Sequence, residues 1–511
     1  MTPVPCLPTP CAPRPLARAA LLALPLLLPA CMSLAPPYEA PALPVPAALQ
    51  AEPGAEVPLA PLAGEAGHAD FVQDARLRAL VQQALAGNRE LRVAVLAVER
   101  ARAQYGIAQA DRLPSVAGTG SASRARTADD LTAAGRGNTA SQYSVGVGLA
   151  GFELDFWGRV RNLNEAALQE FLRSQDNQAS ARISVASEVM LAWLALDADA
   201  RRLHLARATL QAREQQLELT RRSHELGATS GLTLAQVQTT VDAARAEAGA
   251  FEAQVARGRN LLALLVGAPV PTNLLPPGVQ ALAGATPAAT RFSPVQAGPA
   301  LPPPAPATAL PEVPAGLPSQ VLLARPDVRA AEHALQATHA QIGAARAAFF
   351  PTISLTASVG TASNELSGLF AGGNGTWSFA PQIRLPLLDT GRNRASLRVA
   401  EVARETALAQ YERAIQGAFR EVMDALADRG TLAGRLAAQR SLLEATRRAF
   451  ELSEARFRLG ADSYLGVLDA QRSLYAAEQG LIALQQAEQA NRVALYRALG
   501  GRWEAGQLLE P

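Results

Sequence analysis

Large apolar side chains recur every seven residues in two distant stretches of the chain. They are Leu196, Leu203, Leu210 and Leu217 in the first stretch, and Leu436, Leu443, Phe450 and Phe457 in the second. Neither Gly nor Pro occurs between Arg159 and Leu226, and no Pro occurs between Arg392 and Leu459. An apolar heptad in a proline-free stretch predicts a long helix that packs along another helix. Each of the two helices would be roughly 100 Å long if unbroken.

Each predicted long helix is followed by a short turn and a second apolar stretch. The turns read ELGATSG and RLGADSY, and their Gly and Ser residues favour the left-handed and capping conformations of a chain reversal. The returning helices are predicted at 232–266 and 465–499, so each pair forms an antiparallel hairpin. Shorter amphipathic helices are predicted at 72–112 and 326–348. The predicted tip residues are Gly227, Thr229 and Ser230 in the first hairpin, and Arg458, Gly460, Asp462, Ser463 and Tyr464 in the second.

Polar and apolar residues alternate in the segments that precede the long helices. The alternation is faultless over 352–359, and over 377–387 the apolar residues stand at odd positions. Val145, Val147 and Leu149 also alternate, but Phe152 continues the pattern one step out of phase, which predicts a β-bulge. The pattern therefore predicts two strands in each half of the chain.

Four strands with one apolar face cannot close a barrel, which needs about eight. Open sheet edges are not tolerated inside a membrane. A membrane location for this sheet would therefore require further copies of the chain, and two copies give eight strands while three give twelve.

The two halves repeat each other. Gly158, Gly227 and Gly267 reappear 233 residues later as Gly391, Gly460 and Gly500, and the surrounding letters are similar. Upstream, RLPSVAGTGS aligns with FFPTISLTAS, four residues out of step. We interpret this as an internal duplication.

Proline and the repeat together set the predicted domain boundaries. A proline-rich stretch separates the halves and is predicted to be a linker that is neither helix nor central strand. The predicted segments are a signal peptide at 1–30, an extended leader at 31–67, the first repeat at 68–267, the linker at 268–318, the second repeat at 319–505 and a tail at 506–511.

The N-terminus has the pattern of a bacterial secretory signal. Two Arg residues precede a short apolar run, and Leu28-Pro29-Ala30-Cys31 resembles the lipoprotein cleavage box. Cleavage there would leave Cys31 as the one cysteine, since the others are Cys6 and Cys11, and a lone cysteine builds no disulfide framework. We expect a covalent lipid on Cys31, and the alternative is an ordinary signal peptide with a chance cysteine. Met32 follows in place of an inner-membrane retention signal, which favours the outer membrane.

Charge and short motifs exclude several other classes. The chain has 47 basic and 45 acidic residues without a basic cluster, which argues against a nucleic-acid partner. Gly146, Gly148 and Gly151 match a dinucleotide fingerprint, but they lie inside a predicted strand, where that motif does not operate. The five histidines show no metal-ligand spacing, and no residue pattern indicates catalysis, so we predict neither a metal nor an enzyme.

The duplicated layout and the phrases FELDFWGRVRN, VPAGLPSQVLLARPDVRAAE and FRLGADSYLGVLDAQRSLYAAEQ resemble the TolC-like outer-membrane efflux proteins, most of all their lipid-anchored multidrug branch. The resemblance implies a mostly α-helical membrane protein whose four transmembrane strands close as a twelve-stranded barrel in a homotrimer, above a coiled-coil tunnel in the periplasm. It also implies partners, namely an inner-membrane pump and a periplasmic adaptor that meets the hairpin tips.

The resemblance also implies a charged aperture at the second hairpin. A carboxylate nine residues after the turn glycine falls on Asp469, and a position that is often acidic falls on Gly466. Three copies of Asp469 would form a cation-selective ring, or Asp469 is a helix-start acid favoured by the macrodipole. Asp462 and Arg458 would tie neighbouring hairpins together, or they are solvated charges.

We therefore predict a passive outer-membrane exit duct of a tripartite efflux system for small toxic compounds. One alternative is a duct for metal export or type I protein secretion. A second alternative, of a different class, is a lipid-tethered periplasmic coiled-coil scaffold without a pore.

Overall fold

The computed structural model describes residues 33–46, 49, 71–132, 137–284, 308, 310–311 and 319–501. The predicted signal peptide, Cys31 and the predicted tail therefore lie outside the described residues. In the first half, helices α1 (Ala75–Gly87) and α2 (Arg89–Ala110) precede strands β1 (Val116–Arg126) and β2 (Thr139–Leu154). The long helix α3 (Arg159–Glu225) and the returning helix α4 (Gly231–Val266) follow.

The second half repeats this order. Helix α6 (Pro326–Ala347) precedes strands β3 (Thr352–Ser363) and β4 (Gly375–Arg384), and helices α7 (Arg392–Arg458) and α8 (Tyr464–Ala498) follow. The long helices α3 and α7 have 67 residues each, and their bounds differ by the predicted 233 positions. Helices α2 and α6 have 22 residues each, and their bounds differ by 237 positions. The predicted hairpins and strands are thus confirmed.

The linker prediction is wrong in its first part. Residues 277–284 form a short helix, α5 (Pro277–Gly284), after a 3₁₀ turn at Thr272–Leu274. Proline is compatible with the first helical position because no N–H is needed there. The next turn is closed by the N–H groups of Val279 and Gln280, which donate to Pro276 O at 3.0 and 3.2 Å.

The helix predicted at 72–112 is two helices that break at Asn88. Its side-chain oxygen accepts from the N–H of Leu91 at 3.0 Å, and its amide group donates to Leu265 O in α4 at 2.8 Å. A capping residue that is bound to another helix stabilises this change of direction.

All four strands form one antiparallel sheet in the order β1-β2-β3-β4. The register of β2 against β3 shifts between Leu149 and Phe152, and Gly151 there has φ 66°. The predicted bulge is confirmed, and the glycines of the dinucleotide-like motif lie within β2. Strand β4 ends at Arg384, so the expectation that alternation marks a strand to 387 is wrong at that end. Its partner β3 begins at Thr352, opposite Arg384, so the ladder ends there.

The described chain divides into two compact units. One unit contains the sheet, with residues 99–173 and 331–410 and the leader up to Pro41. The other contains the hairpins, with residues 42–98, 174–330 and the chain from Tyr411 onward.

The predicted heptad seam lies in the hairpin unit. Leu196 and Leu203 are buried, and a methyl group of Leu196 lies against Gly258 of α4. The seam is less buried in the second hairpin, where Leu436 is buried but Phe457 is exposed. Helix α3 contains an 18-residue window that is long and apolar enough to cross a membrane, and half of that window is buried inside the protein.

Candidate channel wall and helical tips

The sheet has one apolar and one hydroxyl-rich face. The apolar face consists of exposed large side chains from three strands. They are Trp377, Phe379 and Ile383 of β4, Val359 of β3 and Val147 of β2. Trp377 is 80% exposed. A continuous apolar surface of this kind is unfavourable in water and is typical of a strand that faces lipid.

The opposite face has small polar side chains. Two pairs of serines join neighbouring strands through hydroxyl contacts of 2.7 Å, namely Ser121–Ser144 and Ser358–Ser378. Glu153 lies on this face near the start of α3, where its carboxylate accepts from Arg159 at 2.8 and 2.6 Å. This face is therefore suited to contact with water.

Glycines show which way the sheet curves. On the polar face, a Cβ on Gly148 or Gly360 would lie 2.7 or 2.4 Å from a carbonyl oxygen of the neighbouring strand. On the apolar face, a Cβ on Gly118 would have no neighbour within 4 Å. Side chains converge on a concave surface and diverge on a convex one, so the polar face is the concave side.

The two edges of the sheet are unpaired within the described chain. Strand β1 pairs with β2 alone, and β4 pairs with β3 alone. An open edge in lipid leaves backbone N–H and C=O groups without partners, which costs several kcal/mol per group. A sheet that faces lipid on its convex side therefore requires strands from other copies at both edges.

Both hairpin tips have the same backbone turn. Gly227 and Gly460 have φ 74° and 75°, as the sequence predicted for chain reversals. In each turn the glycine N–H donates three residues back at 2.9 Å, to His224 O and Phe457 O respectively. The next N–H donates five residues back in both turns, which completes a Schellman motif.

The caps that follow the turns differ. Ser230 Oγ accepts from the N–H of Thr233 at 3.2 Å, and Thr229 O lies 2.7 Å from His224 Nδ1. Ser463 occupies the equivalent cap but makes no side-chain cap bond. Gly466 stands at the position equivalent to Thr233, and its N–H donates to Ser463 O at 3.2 Å.

The charges of the second tip pair within the chain. Asp462 accepts from Arg456 across the turn, and Arg458 donates to Glu454 at 2.7 Å. Asp469 is exposed in α8 and is paired with Arg472, one turn further along. The predicted ties between neighbouring hairpins and the predicted ring require other copies, and both stay predictions.

Tyr464 connects the second tip to a buried apolar cluster. Its ring lies 5.1 Å from that of Phe457, and it packs on a cluster of Leu217, Val237 and Val241. Burial raises the pKa of Tyr464 to about 12.

Exposed leucines at the tips were not predicted from the sequence. Leu226 and Leu459 flank the turn glycines and are 85% and 84% exposed. Leu232 and Leu465 begin the returning helices and are also exposed. Each pair is separated by the repeat offset of 233, so a search of the duplication for repeated apolar tip residues would have found them.

Comparisons with known proteins agree on one family. A profile described as "Outer membrane efflux protein" matches residues 80–268 and 317–501. The chain is 41% identical over 477 residues to the antibiotic efflux pump outer membrane protein ArpC of Pseudomonas putida, covering 92% of this chain and 93% of that protein. It is 42% identical over 493 residues to outer membrane protein OprJ of Pseudomonas aeruginosa, with 96% of each chain covered.

Solved structures give the same result. A membrane protein from Pseudomonas aeruginosa superposes with a TM-score of 0.78 at 41% identity, covering 93% of this chain and 99% of that one. The open state of the MtrE outer membrane channel of Neisseria gonorrhoeae superposes with a TM-score of 0.77 at 36% identity, covering 92% and 98%.

Proposed function

We propose a function from one premise, which is that the chain belongs to the outer membrane efflux protein family. The protein is an outer-membrane channel of a Gram-negative bacterium that serves as the exit duct of an efflux pump. The observation that carries this function is the four-stranded sheet, which is convex and apolar on one side, concave and hydroxyl-rich on the other, and open at both edges. Such a sheet is one sector of a barrel wall.

Three copies would close this wall. Three sheets of four strands give twelve strands, and the open edges β1 and β4 would pair between neighbours. The concave polar faces would then line the passage. Small antibiotics and solvents are the cargo that the names of the relatives indicate.

The hairpin tips are the proposed contact for a periplasmic adaptor. Leu226 and Leu232 lie at the first tip and Leu459 and Leu465 at the second, and all four are exposed. Exposed leucines beside polar turns are typical of a protein-binding surface. The adaptor would connect these tips to an inner-membrane pump, which supplies the energy.

Asp469 is the proposed aperture residue. Its carboxylate is exposed, so three copies around an axis would concentrate cations at the tunnel end. The resemblance implies two aperture positions, 466 and 469. Because Gly466 carries no carboxylate, the Asp469 ring would be the single acidic layer there.

A lipid on Cys31 is supported by the leader that follows it. Ser33 Oγ donates to Asn162 Oδ1 at 2.7 Å, close to the start of α3, and Arg346 donates to Leu34 O at 3.2 Å. Two residues span at most about 7 Å, so a lipid on Cys31 would enter the membrane near the sheet end of α3. Labelling of cells with a palmitate analogue tests this, since Cys31→Ser should abolish the label.

The absolute mass of the protein in mild detergent, followed by conductance in a planar bilayer, tests the duct. We expect three mature chains per particle and a stable open-pore current. A monomer without conductance, found outside the outer-membrane fraction, would instead support a tethered scaffold.

A further inference from the structure

Two arginines are the charged residues on the convex, apolar face of the sheet. Arg124 and Arg126 stand at even positions of β1, as Gly118 does, so all three share this face. The other charged residues of the four strands, which the structure describes in full, are Glu153 and Arg384, and both lie on the concave face. The strand surface that faces lipid is therefore uncharged except at these two positive side chains.

Both arginines lie at the end of β1 that is further from α2. The 11 residues from Val116 to Arg126 span about 33 Å along the strand, or about 24 Å across a membrane at a tilt of about 45°. The apolar band of a transmembrane barrel is about 25 Å tall. If Val116 lies at one border of this band, Arg126 lies at the other. An arginine on the lipid side costs little there, because its head group reaches the polar layer.

The guanidinium groups of both arginines are accessible to an anion. Arg124 is exposed and makes no ion pair within the described part of the chain. Arg126 lies 3.4 Å from Asp129 of the β1–β2 link, and these side chains are 68% and 77% exposed. An ion pair as exposed as this one contributes little. A guanidinium group can instead bind a phosphate group through two parallel hydrogen bonds.

The link between β3 and β4 folds back over the convex face. Thr361 and Ser363 lie on this face. Thr361 Oγ1 donates to Leu369 O and lies 3.0 Å from Asn374 O. A Cβ on Gly368 would lie 3.0 Å from Ser363 Oγ. This part of the link therefore lies against the lipid side of the sheet.

The same link has exposed apolar side chains close to the arginines. Leu366 is 66% and Phe370 80% exposed. Tyr143 of β2 also lies on the convex face, and it is a diagonal neighbour of Arg124 across the β1–β2 ladder, at about 7–8 Å. Aromatic side chains are typical of the border between lipid and water. Positive and apolar groups thus lie together at this border.

A ligand that matches this surface has phosphate groups at the membrane surface and acyl chains below them. In the proposed function the helices extend into the periplasm, so the arginine end of the sheet reaches the outer leaflet. The outer leaflet of an outer membrane consists mainly of lipopolysaccharide. Its lipid A is a phosphorylated sugar that carries several acyl chains, which fits both the charge and the apolar character of the surface.

We propose that Arg124 and Arg126 bind the phosphate groups of lipid A while Leu366, Phe370 and Tyr143 contact its acyl chains. We call these five residues the rim site. In a trimer, β4 of one copy would lie beside β1 of the next, so the link of one copy would flank the arginines of its neighbour at each of three junctions. The inference rests on the proposed function for the direction in which the sheet crosses the membrane.

Native mass spectrometry of the full-length trimer in mild detergent tests the rim site. Titration with purified bis-phosphorylated lipid A should load up to three molecules per trimer. Arg124→Gln/Arg126→Gln should weaken this binding by about tenfold or more, since it removes charge-assisted hydrogen bonds to phosphate. Leu366→Ser/Phe370→Ser should also weaken binding, because acyl chains lose apolar contact.

The matched control removes two arginines at the other end of the sheet. Arg112 precedes β1 and Arg384 ends β4, and both are exposed. Arg112→Gln/Arg384→Gln changes the net charge by the same amount and should keep the affinity for lipid A. Dephosphorylated lipid A and dioleoylphosphatidylglycerol are the control lipids, and both should bind at least tenfold more weakly than bis-phosphorylated lipid A.

Unchanged affinity of Arg124→Gln/Arg126→Gln, or an equal loss in the control variant, would overturn the rim site. Equal binding of dioleoylphosphatidylglycerol would show a general site for anionic phospholipid and contradict the assignment to lipid A. Mass and conductance of the unmodified protein separate this from the proposed function. A conducting trimer that does not bind lipid A contradicts the rim site alone, whereas a monomer without conductance contradicts both.

Discussion

Gly87 and Gly267 meet backbone to backbone where α1 passes the end of α4. A Cβ on Gly267 would lie 2.3 Å from Gly87 O, and a Cβ on Gly87 would lie 2.6 Å from Val266 O. Gly267 also ends α4 with φ 78°. Neither position can accept a side chain unless one of the two segments moves.

Gly87→Ala should therefore lower the thermal stability of the protein. Overpacking of this kind costs typically 1–3 kcal/mol, and here the obstacle is backbone rather than a flexible side chain. Calorimetry of the detergent-purified protein measures the change in Tm. Gly249→Ala in the middle of α4 is the control, since its Cβ would meet nothing within 4 Å and alanine favours a helix. An equal loss in both variants would contradict the close contact.

The concave face of the sheet makes a second pair of variants informative. Gly360→Val should prevent trimer formation, because its Cβ would lie 2.4 Å from Val145 O. Gly118→Val adds the same side chain on the convex face, where nothing lies within 4 Å, and should assemble as the unmodified protein does. Trimer yield in outer-membrane extracts is the measurement. Normal assembly of Gly360→Val would show that the sheet is flatter than described.

Asp469→Asn should reduce the preference of the open channel for cations. Removal of three carboxylates from one ring lowers the local cation concentration, and the effect should weaken at high salt. Reversal potentials across a salt gradient measure it. Asp462→Asn is the control from the same tip, because it removes the same charge from the turn before α8, outside the proposed ring. Both carboxylates pair with an Arg of the same chain, Asp462 with Arg456 and Asp469 with Arg472. A reversal potential unchanged by Asp469→Asn would leave Asp469 as a helix-start acid.

Replacing the tip leucines should disable efflux without disturbing the trimer. Leu226→Ser/Leu459→Ser removes exposed apolar side chains that contribute little to the fold, so the Tm should stay the same. Antibiotic susceptibility of the native host should rise at least fourfold. Leu131→Ser is the matched control, since Leu131 is 77% exposed in the link between β1 and β2. Full resistance with both tips altered would exclude the leucines from the adaptor contact.

Glu478 predicts a dependence of stability on pH. It is 4% exposed, and burial raises its pKa to about 7, while Arg447 at 3.9 Å opposes this rise. Because the folded chain holds this proton more tightly, the stabilisation is fully present below the ordinary pKa and is lost as the pH rises through about 7.

Glu478→Gln should therefore raise the Tm at pH 8 more than at pH 5. The difference is on the order of 2–3 kcal/mol. Melting curves of both proteins at the two pH values measure it, with Glu488→Gln, a more exposed glutamate of the same helix, as the control. A parallel shift at both pH values would contradict the raised pKa.

The spacing of apolar residues predicted most of the fold, because a long helix or an alternating strand repeats the same spacing over many residues. The bounds of α3 and α7 follow from Gly and Pro positions, and the bulge near Gly151 follows from a phase slip. The breaks were harder to predict. Asn88 divides a helix through a bond to another helix, and α5 begins at a proline that its first turn accommodates.

The candidate site was predictable in its turns and less so in its surfaces. The left-handed turns at Gly227 and Gly460 were predictable because both residues are glycine and because the turn occurs in both repeats. The curvature of the sheet depends on the spacing between Gly360 and Val145 across two strands, which no single-strand pattern contains. The partner of Asp462 also could not be read from spacing, since Arg456 and Arg458 both lie within reach of the turn and the structure selects Arg456.

The long helices α3 and α7 have equal residue counts although most of their side chains differ. The offset between repeats changes from 237 to 233 only in the stretch that contains the strands and their links. Insertions have therefore accumulated in the stretch of strands and links and not along the hairpins. The length of the long helix sets how far each hairpin tip extends. One added turn in α3 alone would move the tip of the first hairpin by about 5 Å relative to that of the second. In a ring of alternating repeats, such a change would leave every second tip out of reach of a common partner.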